Sequence, residues 1–302
     1  MKRALCLLTL LAAGVAQAAS SPPATQAPSL AEILDRSPAA DWRSVDPDHT
    51  LLLELPHGRV VIELAPAFAP NHVANIQRLV RAGYFNGAAI VRVQDNYVVQ
   101  WSQPDDKRSL GRAQKTLSAE FTRRYDASLP FTPLPDPDTY AARTGFTNGF
   151  PVARDPVTRQ TWLVHCYGMV GAGRDNDADS GGGTELYAVI GQAPRQLDRN
   201  VTLVGRVISG IDLLSSLPRG HGDLGFYQTP AERIVIRSIK LAADLPPGQL
   251  PRLEALRTDS ATFTQLLHNR RFRQDAWYKV PDGHIDACNV PLPVRIGGKP
   301  TS

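Results

Sequence analysis

The sequence of 302 residues has only three cysteines, little charge imbalance and no apolar run of 18 residues. A transmembrane helix needs about 20 predominantly apolar residues, so we expect no membrane insertion by the mature chain. The formal net charge is +4, and so small an excess gives no reason to expect nucleic acid as a partner. The hydrophobic share of 42% is enough for a globular core and excludes collagenous or broadly disordered chains.

Glycine and proline are abundant by contrast, with 23 and 25 residues. Such a composition implies many turns, so it favours a mainly β or an α+β fold over a helical bundle. The length allows one large domain with extensions or two small domains.

The first eighteen residues have the pattern of a secretory signal peptide. Lys2 and Arg3 precede an apolar run over residues 4–15, and small residues follow up to Ala18. We expect cleavage before Ala19 and export, in a bacterium to the periplasm. Loss of the two basic residues brings the mature chain still closer to charge balance, which weakens any argument for nucleic acid.

Cleavage leaves two cysteines, Cys166 and Cys288. In an oxidising compartment they are able to form one disulfide that ties the C-terminal tail to the core. Two free, buried thiols are the alternative, and the sequence leaves both open.

Hydrophobic periodicity and turn signals predict the order of elements along the mature chain. Residues 19–50 form a linker and lead-in with a short helix at 30–34, residues 51–243 the main domain, and residues 244–302 a C-terminal extension with a helix at 250–268. Within the main domain we predict hairpins at 51–64 and 88–101, helices at 70–82 and 210–217, and strands at 162–169, 185–190, 201–207 and 234–242. Residues 104–160 are rich in turn formers and are interpreted as a long loop insertion. Strands joined mostly by turns favour an antiparallel sheet or barrel with two peripheral helices.

Several short motifs resemble known sites but lack essential parts. Residues 178–182 resemble the nucleophile motif of trypsin-like serine proteases, and His165 with Cys166 resembles their histidine motif. His165 and Ser180 lie too close together in sequence for a protease of that type. The alternating aspartates of 175–179 resemble an EF-hand loop without its glycine and final glutamate, so a solvated acidic loop is favoured over a weak calcium site. His284 and Cys288 have zinc-like spacing but no second pair. None of these motifs predicts the function.

The second hairpin carries an arginine in an otherwise apolar strand. Period-two alternation places Arg92 and Gln100 on one face with Ile90 and Val98, and a three-residue turn sets Arg92 opposite Val98. An unpaired charge is costly to bury, so the arginine must be solvated, paired with a carboxylate, or functional. The pattern alone leaves these alternatives open.

Seven runs of sequence follow one another in a characteristic order. They are GRVVIEL at 58–64, APNHVANI at 69–76, YFNG at 84–87, IVRVQDNYVVQWS at 90–102, SAEF at 118–121, GTELY at 183–187 and LVGRVISG at 203–210. In these runs the chain resembles the cyclophilin-type peptidyl-prolyl cis-trans isomerases over residues 51–242. The resemblance implies a mainly β fold, a closed antiparallel eight-stranded barrel capped by two helices, here with the insertion and a partly helical C-terminal extension.

The resemblance also implies the site. Arg92 takes the position of the family's catalytic arginine and Gln100 that of its substrate-binding glutamine. The remaining substrate-binding positions around the proline pocket are Tyr97, Val98, Val170, Glu185, Tyr187 and Leu197. The departures from the family pattern are Ile90 and Val91 for Phe-His, Gly171 for asparagine, Glu185 for glutamine, Gln196 for an aromatic residue and Val201 for histidine. Glu185 brings a negative charge that is able to pair with Arg92 and weaken it.

The implied function is acceleration of rotation about Xaa-Pro bonds in unfolded or flexible exported polypeptides. Amide resonance sets a rotational barrier of about 18–20 kcal/mol. A ten-thousandfold acceleration needs only about 5.5 kcal/mol, which one charged donor and good positioning are able to supply without metal or cofactor. The alternative is a binding or chaperone module with little turnover. We expect a monomer, and the proline-rich stretch Leu129–Asp138 is a candidate lid over the groove.

Overall fold

A computed structural model describes residues 27–105, 107–249, 252–274, 277–297 and 299–300. The predicted signal peptide at 1–18 lies outside the described residues. The helices are α1 Leu30–Asp35, α2 Pro70–Arg81, α3 Ile211–Ser215 and α4 Ala261–Phe272. Within these ranges, no helix combines the length and the apolar character that a membrane crossing requires.

The strands form three antiparallel sheets. They are β1 Trp42–Ser44, β2 Thr50–Leu55, β3 Gly58–Leu64, β4 Ala89–Val93, β5 Val98–Ser102, β6 Arg123–Arg124, β7 Thr132–Pro133, β8 Arg143–Thr147, β9 Phe150–Asp155, β10 Gln160–Leu163, β11 Met169–Ala172, β12 Glu185–Val189, β13 Leu203–Ser209, β14 Ile234–Val235, β15 Ser238–Leu241, β16 Leu253–Leu256, β17 Val294–Ile296 and β18 Lys299–Pro300. The fold is mainly β, as predicted.

The main sheet has the order β14-β4-β5-β12-β11-β13-β3-β2-β15 and curls around the largest apolar core. The predicted helices α2 and α3 pack on this core through Ile76, Leu79 and Leu214, all fully buried. Proline in the first turn of α2 and a left-handed glycine, Gly83, just after it start and stop that helix as the sequence suggests.

The predicted closed eight-stranded barrel is not confirmed. The described sheet has nine strands, and its two edge strands, β14 and β15, form no ladder with each other. The two strands belong to one continuous stretch of chain. Within it the Ile236 N–H donates to the Ala88 carbonyl, next to β4, and the Arg237 N–H donates to the Glu54 carbonyl of β2. Because the two strands follow each other end to end, they cannot pair side by side, and the sheet is a curled half-barrel.

The second sheet corrects the interpretation of residues 104–160 as a loop. Four short strands of this insertion, β6 to β9, join β10 in the order β6-β10-β9-β8-β7. The predicted strand 162–169 is also wrong, since β10 ends at Leu163 in the second sheet and β11 begins at Met169 in the main sheet. Residues 162–169 form a largely apolar run without a proline, so the sequence pattern does not reveal the change of sheet.

The third sheet joins the two ends of the chain. Strand β1 of the lead-in pairs with β16 of the C-terminal extension, in the order β1-β16-β17-β18. The predicted helix at 250–268 begins only at Ala261, where the Ser260 hydroxyl accepts a hydrogen bond from the N–H of Phe263 at 3.1 Å. Helices α1 and α4 pack together over a core that includes Leu134 and Phe146 from the insertion.

One disulfide and one salt bridge tie the C-terminal extension to the rest of the molecule. A disulfide joins Cys166, between β10 and β11, to Cys288, with Cα atoms 4.9 Å apart. The guanidinium of Arg271 on α4 donates two hydrogen bonds, of 2.7 and 2.8 Å, to the Asp136 carboxylate in the insertion. The extension is therefore anchored both to the insertion and to the segment that leads into the main sheet.

Candidate active site

Strands β4 and β5 align Arg92 directly opposite Gln100. The predicted register, with Arg92 opposite Val98, is wrong by two residues. Five residues, 94–98, lie between the first paired residues instead of three, so the ladder begins with Val93 opposite Val99. Both polar side chains still share one face, because a shift of two residues preserves the alternation of a strand.

A β-bulge at Val91 separates Arg92 from the core. The register shifts between Ile90 and Arg92, and the Val91 carbonyl accepts a hydrogen bond from the Tyr227 N–H at 3.0 Å. Ile90, predicted on the same face as Arg92, is instead fully buried in the main core. A bulge changes the direction of the following side chain, and this one points Arg92 away from the core.

Arg92 lies in a groove of about 510 Å³ on the outer face of the main sheet. Its lining residues are Arg92, Tyr97, Val98, Gln100, Gly173, Arg174, Asp175, Asn176, Tyr187, Leu197 and Val201. Most of the predicted site residues are therefore brought together. Residues 173–176 also line the groove, and Asp175 among them belongs to the acidic loop that the alternating aspartates predict to be solvated.

Glu185, a predicted substrate-binding position, is not part of this lining, and three other expected features also lie outside it. Val170 is 1% exposed and packs in the main core, because its neighbour Gly171 takes the groove side of β11. Gln196, at the position of a family aromatic residue, is exposed and does not line the groove. The candidate lid Leu129–Asp138 contributes nothing to the lining either: Leu129 and Leu134 are buried in two other cores.

The Arg92 guanidinium is held by three acceptors. Its Nη1 donates to Gln100 Oε1 at 3.0 Å, its Nε to the Leu224 carbonyl at 2.6 Å, and its Nη2 to Gln94 Oε1. A guanidinium has five N–H groups, so one N–H on each terminal nitrogen is left for a ligand by these bonds. Burial lowers the pKa of Arg92, but an arginine stays charged at neutral pH.

The loop after α3 supplies a part of the site that the sequence interpretation missed. The Phe226 ring centre lies 5.3 Å from Arg92 Cζ, and that of Tyr97 lies at 5.6 Å, so two aromatic rings flank the cation. Leu224, which accepts from Arg92, adopts a left-handed conformation with φ of 55°. The neighbouring glycine-rich run is the available signal, since it permits such a tight turn.

Glu185 lies beside the groove without forming a salt bridge to Arg92 among the described residues. Burial and the negative charge of Asp175 raise the pKa of Glu185, although the nearby charge of Arg92 acts in the opposite direction. The expected pairing that would neutralise Arg92 is therefore absent from this part of the chain. Glu185 instead acts on Arg92 through space.

Tyr187 forms the floor of the groove, and its hydroxyl is buried beneath it. The phenolic oxygen lies 2.9 Å from Nε2 of His165, and burial raises the pKa of Tyr187 well above its usual range. A Cβ on Gly171 would lie 2.3 Å from this oxygen. The glycine at 171 thus makes room for the tyrosine hydroxyl, which gives one of the departures from the family pattern a steric reason.

Comparisons with known proteins agree with this geometry. A sequence model of the family described as cyclophilin type peptidyl-prolyl cis-trans isomerase/CLD matches residues 50–241. Proteins named probable peptidyl-prolyl cis-trans isomerase from Brucella suis biovar 1 and Brucella melitensis biotype 1 are each 27% identical over 198 residues, covering 65% of this chain and 85% of the relative.

A solved structure extends the likeness beyond the family match. The crystal structure of cyclophilin AquaCyp293 from Hirschia baltica is 31% identical, with a TM-score of 0.68, and the alignment covers 85% of this chain and 95% of that one. The family match spans well over half of the present sequence. The chain therefore belongs to the cyclophilin-type peptidyl-prolyl cis-trans isomerases, a family of enzymes.

Proposed function

We propose that this protein accelerates rotation about Xaa-Pro bonds in unfolded or flexible segments of exported polypeptides. One observation carries the proposal: the Arg92 guanidinium is held at 3.0 Å by Gln100 at the edge of a groove whose floor is the Tyr187 ring. The apolar side chains of Val98 and Leu197 line the same groove and supply a surface for a proline ring.

The proposed mechanism is electrostatic and needs no covalent step. Rotation about a prolyl bond breaks amide resonance, so electron density returns to the nitrogen as the amide twists. The N–H groups of Arg92 that remain after its protein hydrogen bonds are placed to donate to the twisted amide more strongly than to the planar one. Binding that is stronger in the transition state than in the ground state is what accelerates a reaction.

The surroundings of Arg92 prepare it for this role. Gln100 is 7% exposed and, with the Leu224 carbonyl, fixes the plane of the guanidinium before substrate arrives. A preorganised donor needs little reorganisation during the reaction and acts strongly where water is partly excluded. The bulge at Val91 contributes because it directs the Arg92 side chain toward the groove.

Export is part of the same proposal. The pattern over residues 2–18 supports a secretory signal peptide and hence a periplasmic location in a bacterium. The disulfide between Cys166 and Cys288 supports this location, because disulfides form and persist in such an oxidising compartment. Proline-containing segments of other exported chains are the substrates we propose, with the protein acting as a monomer.

The function is tested by measuring cis-to-trans isomerisation of a proline tetrapeptide together with calorimetric binding of the same peptide. We expect a rate above the uncatalysed background that is proportional to protein concentration. Peptide binding without any acceleration would instead identify a binding or chaperone module and would refute the enzymatic proposal. Absence of both would refute the groove as a proline site.

Replacement of Glu185 by glutamine should raise kcat/KM for an uncharged proline peptide by about two- to fivefold, the range expected for a partly screened charge pair. The substitution removes a negative charge that opposes the action of Arg92 on the substrate. Burial and Asp175 raise the pKa of Glu185, so in the wild type this carboxylate takes up a proton at a higher pH than an ordinary glutamate. Wild-type kcat/KM should therefore rise as the pH falls toward the raised pKa of Glu185, whereas the variant should stay flat over the same range.

Glu232→Gln is the matched control, since Glu232 is exposed and lies outside the groove lining. It removes the same charge and should leave both kcat/KM and its pH profile unchanged. An equal pH profile for wild type and Glu185→Gln would contradict the assignment of Glu185 as the group that weakens Arg92.

A further inference from the structure

A chain of buried polar groups runs from the groove floor into the insertion. It consists of Tyr187, His165, Asp198, Arg195 and Asp138, which we call the buried polar chain. His165 is fully buried, and the side chains of the three charged members are each at most 5% exposed. Each contact along it is a hydrogen bond of 2.7 to 3.0 Å.

The carboxylate of Asp198 determines which nitrogen of His165 bears a proton. Its Oδ1 lies 3.0 Å from Nδ1 of His165 and also accepts the His165 backbone N–H at 2.9 Å. A carboxylate is only an acceptor, so Nδ1 must carry the proton. In the neutral imidazole Nε2 is then an acceptor, and the Tyr187 hydroxyl donates to it. The phenol is thereby held in one orientation.

Arg195 links this arrangement to the insertion. Its Nε donates to Asp198 Oδ2 at 2.7 Å, and its two terminal nitrogens donate to both oxygens of Asp138 at 2.7 and 2.8 Å. The ring of Tyr140 lies 5.0 Å from Arg195 Cζ and covers the guanidinium. Burial by itself raises the pKa of Asp138, but the hydrogen bonds and charge of Arg195 hold it below its usual value, so Asp138 stays ionised.

We infer that Asp138, a residue of the insertion that does not line the groove, is a positioning residue for the groove floor. It acts through Arg195, Asp198 and His165 on the orientation of Tyr187. The inference rests on the proposed function of the groove. The proline-rich stretch suggests a lid over the groove, but this inference gives the insertion a different role. Through Asp138 it helps to fix the orientation of Tyr187 from the buried side of the groove floor.

The physical reason lies in the charge balance of the chain. Arg195 is almost completely buried between two carboxylates, and a buried cation that loses one of them is left poorly compensated. An asparagine at 138 offers a single neutral acceptor to two N–H donors. Arg195 should then shift toward water or toward Asp198, which disturbs the carboxylate that orients His165.

The test is a double-mutant cycle of Asp138→Asn and Tyr187→Phe, assayed with a proline tetrapeptide. In the wild-type background Asp138→Asn should raise KM about fivefold, which corresponds to about 1 kcal/mol, while kcat changes less than about twofold. In the Tyr187→Phe background the same substitution should change KM by less than about twofold, because there is no hydroxyl left to orient. Asp126→Asn, an exposed position of the insertion, is the control and should leave KM unchanged.

Three measurements keep the result decisive. Hydrogen exchange of the His165 amide, which donates to Asp198, should accelerate in Asp138→Asn and not in Asp126→Asn. The same cycle, read as peptide affinity by calorimetry, applies even if the wild type shows no turnover, so failure of the proposed function is distinguishable. If Asp138→Asn does not fold, Asp138→Glu, which keeps the charge but displaces the carboxylate, should raise KM in the same sense.

An equal factor for Asp138→Asn in both backgrounds would overturn the inference, since it would show a purely structural effect on stability. An unchanged KM in the wild-type background, in a folded variant whose His165 amide exchanges faster, would also overturn it.

Discussion

Replacement of Arg92 by alanine should lower kcat/KM for a proline tetrapeptide by about 100- to 1,000-fold, the loss typical for removal of one preorganised donor from an active site. The side chain carries the charged N–H groups that we propose donate to the twisted amide, and it is held by Gln100 and Gln94. Among the residues that line the groove, Arg174 is the other cation. Arg174 is engaged elsewhere, with its Nε donating to the Asn200 carbonyl at 2.9 Å. It is therefore not expected to replace Arg92.

Two further variants make this result specific. Arg92→Lys keeps a charge but loses the planar fork that bonds Gln100 and Leu224 at once, so its activity should fall between wild type and alanine. Arg81→Ala removes a half-exposed arginine of α2 that pairs with Asp244, and the activity of this variant should equal that of the wild type. Equal rates above background for wild type and Arg92→Ala would refute the proposed mechanism.

Loss of the disulfide is the second large effect we expect. The double variant Cys166→Ala/Cys288→Ala should unfold with a free energy lower by about 2–5 kcal/mol, because the bridge closes a long loop in the unfolded chain. The two cysteines are 122 residues apart in sequence. Denaturant unfolding monitored by fluorescence gives the free energy from the midpoint and the slope.

Reduction supplies the control for the disulfide. A thiol reductant should shift the wild-type midpoint toward that of the double variant and should leave the double variant itself unmoved. Identical midpoints for the oxidised wild type and the double variant would contradict a stabilising role. Because Cys166 is next to His165, we also expect faster exchange of the His165 amide in the double variant.

The local elements near the site followed from short stretches of sequence. Proline at the start of α2, glycine after it and the alternation of β2 and β3 predict these elements closely. The resemblance to the cyclophilin-type family pointed to Arg92, Gln100 and Tyr187, all of which line the groove. The local elements depend on residues that lie within one turn or one hairpin of each other, and each site residue lies in a short run of sequence that resembles the family.

Other predictions failed where partners come from far along the chain. The bulge at Val91 is bonded by Tyr227, and the Arg92 Nε by a carbonyl 132 residues away. The prolines of the insertion favour extended, unpaired chain and so predict a loop, yet its short strands pair with each other and with β10. The resemblance places Val170 at the pocket, whereas the side chain lies in the main core, next to a register shift in the pairing of β11 with β13.

Composition and local spacing thus favour a mainly β or α+β fold, and the resemblance in seven short runs supplies the family and the identity of the arginine and glutamine at the groove. Three features of the site arise only in the folded molecule. They are the direction of the Arg92 side chain, the hydrogen bond between Tyr187 and His165, and the link from Asp138 through Arg195 toward the groove floor. Each of them joins residues that are 22 to 136 positions apart. Such contacts join residues that only the folded chain brings together, and burial there favours a protein partner over water for each charge or hydroxyl.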